Sequence, residues 1–436
     1  MRSKYFSPLA VAVIAMVCAN PCRAQQMVVT PDQSNGVYQV GNTVHWQVEW
    51  KGETNPPPAH YKLLQGELTE VGQGELDFSN QAARLESKFD APGTMLVEVK
   101  WKSADGSEHR ATAGAVADPE RILLSAPRPA DFDQFWEAKL QELEKVPVNP
   151  TLEHIDIGRT NVAYWKITMD NIRGTHIQGQ LARPAQGKKF PALLMVQWAG
   201  VYGLQKNWVT DRAAEGWLAL DIEPHDLPID QPASFYKEQF DGPLKNYWAI
   251  GNDDRDASYF LRMYLSDYRA VEYLASRPDW DGQTLVVMGD SQGGQQTLMT
   301  AGLHPKKITA ALALVPAGCD MLGPDAGRKG GWPQWYDCTA GKDAPKVHAA
   351  SRYYDTANFA SRIQCPTLVG LGLRDETCPA AGVLAAFNQI NSPKELVILP
   401  KSGHQDEHGT QAAYDHLRYS AWLPALRQGK PAPVKP

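Results

Sequence analysis

The sequence predicts an α/β protein in which a mostly parallel, doubly wound sheet follows a small all-β sandwich. Two patterns support this fold class. Apolar and polar residues alternate between residues 27 and 118, whereas short continuous apolar runs, separated by amphipathic stretches, fill the chain from about residue 119 onward. Alternation is typical of sheets with one exposed face, and continuous runs are typical of parallel strands covered by helices. With 436 residues, the chain has room for both domains.

The first 24 residues have the pattern of a secretory signal peptide. Arg2 and Lys4 precede an apolar run over residues 9–19, and Cys22-Arg23-Ala24 supplies a cleavage site of the small-x-small type. The run is too short for a permanent membrane span, and no later apolar stretch reaches about 18 residues. We therefore expect residues 1–24 to be removed and the protein to be exported to the periplasm or the medium. A retained N-terminal anchor is the alternative.

Residues 25–118 are predicted to form an antiparallel, immunoglobulin-like sandwich. Residues 44–50 and 95–101 each place apolar side chains at every second position, as a half-buried strand requires. Asn35-Gly36 and Pro92-Gly93 are typical turn sequences between such strands. We expect a structural or oligomerisation role for this domain, with carbohydrate binding as the alternative.

Residues 119–428 are predicted to form the α/β domain, and residues 429–436 a flexible, proline-rich tail. A helix is expected to begin at Asp131, whose carboxylate is placed to accept hydrogen bonds from the amides of the first turn. Another, amphipathic helix is expected over residues 261–277. Buried strands are predicted at residues 191–196, 216–222, 284–288, 310–315, 366–373 and 395–399.

Charge and cysteine content exclude several classes of function. The formal net charge is −6, from 43 Lys and Arg against 49 Asp and Glu, so the chain lacks the basic surface that nucleic acids require. Four of the six cysteines follow residue 24: Cys319, Cys338, Cys365 and Cys378. Among the three ways to pair them we favour a disulfide between Cys319 and Cys338, which closes a short loop, while Cys365 and Cys378 are alternatively packed free thiols. No cluster has zinc-ligand spacing, so no metal site is expected.

The strongest chemical signal is Gly289-Asp290-Ser291-Gln292-Gly293-Gly294, which has the G-x-S-x-G pattern of a nucleophile elbow. The segment follows an apolar strand and precedes a stretch that suits a helix. In such an elbow a sharp turn lifts the serine hydroxyl above the sheet, and crowding leaves no room for a Cβ at Gly289 or Gly293. The pattern also occurs by chance, but its position between strand and helix favours Ser291 as a nucleophile.

A serine nucleophile needs a base that is itself oriented by a carboxylate, and in this architecture the order along the chain is serine, acid, histidine. Asp375 and His404 each follow a predicted buried strand, so both are expected at the edge of the sheet where sites form in α/β proteins. Asp375 is alternatively a turn residue, and His408 is a rival base. We favour His404 because a glycine precedes it and it lies closer to its strand.

The predicted chemistry is acyl transfer. His404 accepts the Ser291 proton as the hydroxyl attacks an ester carbonyl, and Asp375 stabilises the resulting imidazolium. The developing oxyanion needs preorganised donors. We expect one to be the backbone amide of Gln292 and the other to come from the loop after the first buried strand, at Ala199 or Gly200.

Further segments resemble one family of esterases. The matching segments are residues 131–136 (Asp-Phe-Asp-Gln-Phe-Trp), 267–278, 289–294 (G-x-S-Q-G-G), 358–366 and 375–379. On these motifs, roughly residues 119–425 resemble the acetyl xylan esterases and cephalosporin C deacetylases of carbohydrate esterase family seven. The resemblance implies an α/β-hydrolase that removes acetyl groups from sugars, needs no cofactor and often assembles as a homo-oligomer.

The chain departs from this family in two motifs. Glu223-Pro224-His225 stands where the family carries Arg-Gly-Gln, and His404-Gln405 stands where it carries His-Glu. The arginine and the glutamate that support one another in the family are therefore both missing. Residues 25–118 are also additional to the core family fold, so the chain is a divergent relative.

The expected substrate contacts follow from analogy with the family. Analogy places residues 316–320 near the acyl site, so Cys319 and Asp320 are expected to contact substrate. Trp332 lies with Trp335 and Tyr336 in a loop-like insert and is expected to form a lid or a sugar platform. Core packing is the alternative for each of these aromatic residues.

Together these inferences predict an exported serine carboxylic ester hydrolase that removes acetyl groups from carbohydrates such as acetylated xylan or xylo-oligosaccharides. A secreted peptidase or thioesterase of the same fold is the first alternative, because a triad does not identify the bond that is cleaved. A non-catalytic carbohydrate-binding protein is the second alternative, and the set of Ser291, Asp375 and His404 argues against it.

Overall fold

The computed structural model describes residues 26–52, 55–79 and 81–435. The predicted signal peptide, residues 1–24, lies outside the described residues. No helix among those described combines the length and the apolar character needed to cross a bilayer.

The N-terminal strands form two sheets that share one apolar core. The strands are Met27–Pro31 (β1), Val37–Tyr38 (β2), Thr43–Trp50 (β3), Ala59–Gln65 (β4), Thr69–Glu75 (β5), Ala82–Lys88 (β6), Gly93–Lys102 (β7) and Glu108–Ala117 (β8). One sheet has the order β1-β3-β6 and the other the order β2-β8-β7-β4-β5, with only the β2–β8 pair parallel in these two sheets. This arrangement is the sandwich that the alternating pattern predicts.

A third, larger sheet contains nine strands in the described part of the chain. They are Thr151–His154 (β9), Val162–Asp170 (β10), His176–Pro184 (β11), Phe190–Val196 (β12), Leu218–Glu223 (β13), Trp280–Asp290 (β14), Ala310–Leu314 (β15), Thr367–Gly372 (β16) and Lys394–Leu399 (β17). The order is β17-β16-β15-β14-β12-β13-β11-β10-β9. From β13 to β17 neighbouring strands run parallel, and β9, β10 and β11 extend the sheet with antiparallel pairs.

Helices cover both faces of this sheet. They are Phe132–Glu144 (α1), Lys206–Glu215 (α2), Ala233–Asp241 (α3), Tyr259–Ser276 (α4), Gln292–Leu303 (α5), Ala344–Ser351 (α6), Thr356–Ala360 (α7), Ala380–Asn388 (α8), Ala412–His416 (α9) and Leu423–Arg427 (α10). Leu194 and Val287 pack into the core under α4, α5 and α8, whereas their neighbours Leu193 and Val286 pack into the core under α2 and α10. Successive strand residues thus enter opposite cores, which is why the strands read as continuous apolar runs.

The larger domain also covers the outer face of β7. The alternating pattern predicts an exposed face there, yet Leu96 is fully buried and Thr94 and Glu98 are nearly so. Helix α8 packs against this strand. The sandwich is therefore docked on the larger domain through one of its sheets.

Three local expectations are wrong or need revision. The Asp131 carboxylate does not cap α1, because it accepts hydrogen bonds from Arg255 and Tyr353 instead. Cys319 and Cys338 are both free thiols: the Cys319 side chain is buried in the core whereas Cys338 is exposed, so the two cannot pair. Residues 429–435, expected to be a flexible tail, contain no helix or strand but pack Ala432 and Val434 against the core.

Candidate active site

Ser291 lies on the sharp turn between β14 and α5. Its φ of 57° and ψ of −119° are unusual for a residue other than glycine. A Cβ added at Gly293 would lie 2.4 Å from the Val196 carbonyl oxygen, and one at Gly289 would lie 2.7 Å from the same atom. These close approaches explain the two glycines of the motif, as the sequence predicts.

Ser291, His404 and Asp375 come together at the carboxyl edge of the sheet. Ser291 Oγ lies 2.8 Å from His404 Nε2, and His404 Nδ1 lies 2.8 Å from Asp375 Oδ2. A carboxylate only accepts, so Nδ1 carries the proton toward Asp375, and Nε2 is left to accept a proton from Ser291. The rival residue His408 is exposed four positions further along the same loop.

The loop after β16 holds Asp375 rigidly. The carboxylate is fully buried, and its Oδ1 accepts hydrogen bonds from the backbone amides of Thr377 at 2.9 Å and Cys378 at 2.8 Å. These two donors and His404 engage both carboxylate oxygens. The arrangement orients Asp375 and stabilises its charge, which is what a residue that must steady an imidazolium requires.

The two segments predicted to donate to an oxyanion lie beside each other. Gln292 opens α5, so its amide belongs to the positive end of the helix dipole. Ala199 lines the cleft next to Ser291, together with Trp198. The Gly200 amide, in contrast, donates to the Tyr247 hydroxyl at 3.3 Å. Gly200 is therefore not free to serve as the second donor, and Ala199 or Trp198 is better placed.

A cleft of about 500 Å³ opens above Ser291 and His404. Trp332 lines it, so the structure places this predicted residue at the site, whereas Trp335 is fully buried in the core. Trp198 was not among the predicted substrate contacts, yet it is 44% exposed at the cleft and stacks on Tyr202 with ring centroids 5.3 Å apart. With 13 tryptophans in the chain, sequence alone offers no signal for which of them is exposed.

Cys319 and Asp320 do not line this cleft. The Cys319 side chain is buried and directed toward the carbonyl oxygens of Pro316 and Ala317. Asp320 is also buried, and its carboxylate binds Ser125 and Arg328. The expectation that these two residues contact substrate is therefore not supported, because the chain turns after β15 and carries them into the protein interior.

The residues that replace the family's two motifs lie in different environments, one set buried and the other exposed. Glu223 is buried, and one of its carboxylate oxygens accepts from the amides of His225 at 2.7 Å and Leu227 at 3.0 Å. Burial raises the pKa of Glu223 to about 8. Burial also disfavours the charged form of His225 and lowers its pKa to about 3, so this imidazole is neutral near pH 7. Gln405 is exposed at the mouth of the cleft.

One group in the described chain brings three ligand-type side chains together. Atoms of Asp375, Cys378 and His404 lie within 4.8 Å of one another. Asp375 and His404 are hydrogen-bonded to each other, and burial raises the pKa of the Cys378 thiol well above its ordinary value. A buried, protonated thiol is a poor metal ligand. The donor set therefore fits a hydrogen-bonded triad better than a metal centre.

A nucleophile elbow above a doubly wound sheet, with an acid and a histidine on later loops, defines the α/β-hydrolase fold. A family model described as acetyl xylan esterase matches residues 124–422. The chain belongs to the acetyl xylan esterase family and is a carboxylic ester hydrolase.

Individual relatives agree with this assignment. The chain is 31% identical over 394 residues to the acetyl esterase Axe7A of Xylanibacter ruminicola, which covers 88% of each chain. Among solved structures, an acetyl xylan esterase from Paenibacillus sp. R4 aligns with a TM-score of 0.59 and 23% identity, over 69% of this chain and 98% of the other. Acetyl xylan esterase 1 from Thermoanaerobacterium sp. JW/SL YS485 aligns with a TM-score of 0.59 and 22% identity, over 68% and 96%. The two structures support the fold.

Proposed function

We propose that the protein is an exported serine esterase that removes acetyl groups from carbohydrates such as acetylated xylan or xylo-oligosaccharides. The observation that carries this proposal is the continuous set of hydrogen bonds from Ser291 through His404 to Asp375, with both distances 2.8 Å. The proposed substrate class rests on the names of the relatives, an acetyl esterase and two acetyl xylan esterases.

The proposed reaction has two steps. His404 accepts the Ser291 proton while Oγ bonds to the acetyl carbonyl carbon, and the carbonyl electron pair moves to oxygen. Collapse of this intermediate breaks the bond to the sugar oxygen, which takes the proton from His404 and leaves an acetyl-serine. Water then gives a proton to His404 as it bonds to the acetyl carbon; the bond to Oγ breaks, Oγ takes the proton back from His404, and acetic acid leaves and ionises to acetate. Asp375, held by two amides, stabilises the imidazolium in both steps.

Backbone amides are proposed to stabilise the oxyanion. Gln292 supplies one, and Ala199 or Trp198 supplies the other. Removal of a single donor of this kind costs about 10²- to 10³-fold in kcat in related chemistry. The cleft walls formed by Trp198 and Trp332 are apolar surfaces against which a pyranose ring would pack.

Export is proposed from the sequence of residues 1–24. Expression of the full-length chain in a Gram-negative host, followed by fractionation and N-terminal sequencing, tests this part of the proposal. A mature chain that begins after Ala24 in the periplasm or medium supports it, whereas an unprocessed chain in the membrane fraction contradicts it. Light scattering of the purified protein measures whether it forms the homo-oligomer that the family resemblance implies.

The activity is tested with p-nitrophenyl acetate, p-nitrophenyl octanoate, acetylated xylan and a peptide p-nitroanilide, using wild type and Ser291→Ala. We expect acetate release from the first substrate and from acetylated xylan, with little octanoate or anilide hydrolysis and no turnover by Ser291→Ala. Anilide hydrolysis with no ester turnover would identify a peptidase instead. Full activity of Ser291→Ala would exclude the serine mechanism.

A further inference from the structure

We infer that Tyr247 and His225 are positioning residues that hold the two backbone segments of the proposed oxyanion hole at a fixed separation. The inference rests on the proposed function. One segment is the loop that follows β12, residues 197–200, and the other begins at Gln292. Neither Tyr247 nor His225 lines the cleft at Ser291, so both would act through the backbone.

Tyr247 bridges the two segments with a single hydroxyl group. Its Oη accepts a hydrogen bond from the Gly200 amide at 3.3 Å and donates one to Gln292 Oε1 at 2.5 Å. The Tyr247 side chain is fully buried, and its ring packs edge-on against the His225 ring with centroids 4.5 Å apart. A rigid phenol held in this way fixes the position of Gly200 relative to the side chain of Gln292.

His225 holds the other side of Gly200. Its Nε2 lies 2.8 Å from the Gly200 carbonyl oxygen, and its Nδ1 lies 2.7 Å from the Tyr259 hydroxyl. Because a carbonyl only accepts, Nε2 must carry the proton, and Nδ1 must accept from Tyr259. The Tyr259 hydroxyl in turn accepts a hydrogen bond from the Arg262 guanidinium. The direction of each hydrogen bond is therefore fixed: Arg262 donates to Tyr259, and Tyr259 donates to His225. His225 in turn donates to the Gly200 carbonyl oxygen.

Burial keeps this network in one protonation state. Burial, together with the neighbouring positive charge of Arg262, lowers the pKa of His225 to about 3. The imidazole is therefore neutral near pH 7, and its single N–H remains available to the Gly200 carbonyl oxygen. Arg262 also donates to the His225 carbonyl oxygen at 2.9 Å, which fixes the backbone of that residue.

A second bridge ties the same two segments below the cleft. Gln296 Nε2, on the first turns of α5, donates to the Gln197 carbonyl oxygen at 2.9 Å and to the Gln292 carbonyl oxygen at 3.3 Å. Tyr247 and His225 act three residues further along the loop, at Gly200, close to the amides of Trp198 and Ala199. Loss of the Tyr247 hydroxyl would therefore loosen the loop near Gly200, where the oxyanion donors lie. Gln296 would still hold the start of the loop at Gln197.

The experiment compares Tyr247→Phe with Tyr236→Phe as a matched control. Tyr236 is also a buried tyrosine whose hydroxyl makes two hydrogen bonds, donating to the Pro228 carbonyl at 2.6 Å and accepting from the Gln231 amide at 3.0 Å. For each variant we would measure kcat and KM with p-nitrophenyl acetate, the thermal midpoint, and Ki for an aryl trifluoromethyl ketone. This ketone adds reversibly to a serine hydroxyl and places its oxyanion where the amides donate.

We expect Tyr247→Phe to lower kcat by about 10- to 100-fold with KM within twofold of wild type. The loss should be smaller than for deletion of a donor, because a displaced donor still stabilises the oxyanion in part. Ki for the ketone should rise by the same factor as kcat/KM falls. Tyr236→Phe should change neither value more than twofold. Kinetics and Ki of Tyr247→Phe within twofold of wild type, or losses equal to those of Tyr236→Phe, would overturn the inference.

A second pair of variants keeps the test independent of Tyr247. His225→Gln retains a donor that can reach the Gly200 carbonyl, whereas His225→Leu does not. We expect the glutamine variant to retain several-fold more kcat and ketone affinity than the leucine variant at equal active-site concentration. Equal values for the two would overturn the role of His225. Ser291→Ala, assayed in the same series, separates failure of the positioning role from failure of the serine mechanism.

Discussion

Arg110, on strand β8 of the sandwich, donates two hydrogen bonds of 2.6 and 2.9 Å to the carboxylate of Glu376, the residue next to Asp375. On the other side of Asp375, Arg374 Nε donates to the Thr112 hydroxyl at 3.0 Å. Both neighbours of the acid are thus bound to the same strand of the N-terminal domain. The sandwich contributes directly to the placement of the loop that carries Asp375.

Arg110→Met is expected to lower both stability and activity by modest amounts. The pair is bidentate but about one-third exposed, so a coupling energy of about 1 kcal/mol is reasonable. A double-mutant cycle with Glu376→Gln, read by urea unfolding, measures this coupling, and kcat should fall a few-fold as the acid loop loosens. Lys62→Met removes another pair of the sandwich, that with Glu70, and should leave kcat unchanged. Zero coupling, or equal kcat losses for the two variants, would contradict this role.

His404→Ala is expected to lower kcat for p-nitrophenyl acetate by at least about 10³-fold, because the base that activates Ser291 is lost. His408→Asn is the control: His408 is exposed, and its φ of 58° suits asparagine. The control should stay within twofold of wild type, with both variants folded by circular dichroism. Inactivation by the His408 substitution alone would move the base to that residue.

Arg418→Leu is expected to destabilise the protein by about 2 kcal/mol or more. The Arg418 side chain is 6% exposed and binds Asp290, beside the nucleophile, and Asp415. Its removal leaves Asp290 without its buried partner. Adding Asp290→Asn should recover part of the loss in urea unfolding. Arg159→Leu, which breaks an exposed pair with Asp211, should cost less than about 1 kcal/mol; similar losses for both arginines would refute the distinction.

Glu67 is expected to make stability fall as pH rises from about 5 to 8. Its carboxyl is buried at the domain junction, and burial, together with the nearby Asp375 and Glu376, raises its pKa to about 8. Between its unfolded pKa and about 8, the folded chain holds a proton that the unfolded chain has released. Stability therefore falls with rising pH, by at most about 1.4 kcal/mol per pH unit.

Glu67→Gln tests this dependence because the amide has no proton to lose. The Gln variant should match wild type near pH 5 and exceed it in thermal midpoint near pH 8. Glu75→Gln, at an exposed position on the same hairpin, should follow the wild-type profile. Parallel profiles for wild type and Glu67→Gln would show that Glu67 is not the titrating group.

Thiol labelling is expected to distinguish one cysteine from three. Cys338 is exposed and free, whereas Cys319, Cys365 and Cys378 are buried. Burial raises the pKa of Cys365 to about 12 and that of Cys319 and Cys378 well above the ordinary value. In the chain without residues 1–24, a thiol reagent should therefore modify Cys338 quickly and the other three only in denaturant. Cys338→Ser should abolish the fast phase, and fewer than four thiols in denaturant would indicate a disulfide.

Short-range patterns were enough to predict much of the fold and the positions of Ser291, Asp375 and His404. The glycines around Ser291 are required by crowding within a single turn, and Asp375 and His404 each follow a continuous apolar strand. Because parallel strands end at the same edge of a sheet, residues that follow them come together without any further information.

Contacts between distant parts of the chain decided the rest. The Asp131 cap was a sound local inference, but Arg255 and Tyr353, far away in the chain, take its carboxylate. The Gly200 amide is an equally reasonable oxyanion donor by its position in the sequence, but in the folded protein it donates to the Tyr247 hydroxyl. Sequence spacing does not report which partner a polar group finds in the folded protein.

The sequence by itself determined the fold class, the elbow at Ser291 and the two later loops that carry Asp375 and His404, because periodicity and turn chemistry act over a few residues. Only the tertiary structure decided that Cys319 and Asp320 face the interior, that Leu96 and Glu98 are buried, and that the sandwich holds the loop of Asp375. These outcomes depend on which surfaces pack together, and packing between domains leaves no periodic signal in either of them.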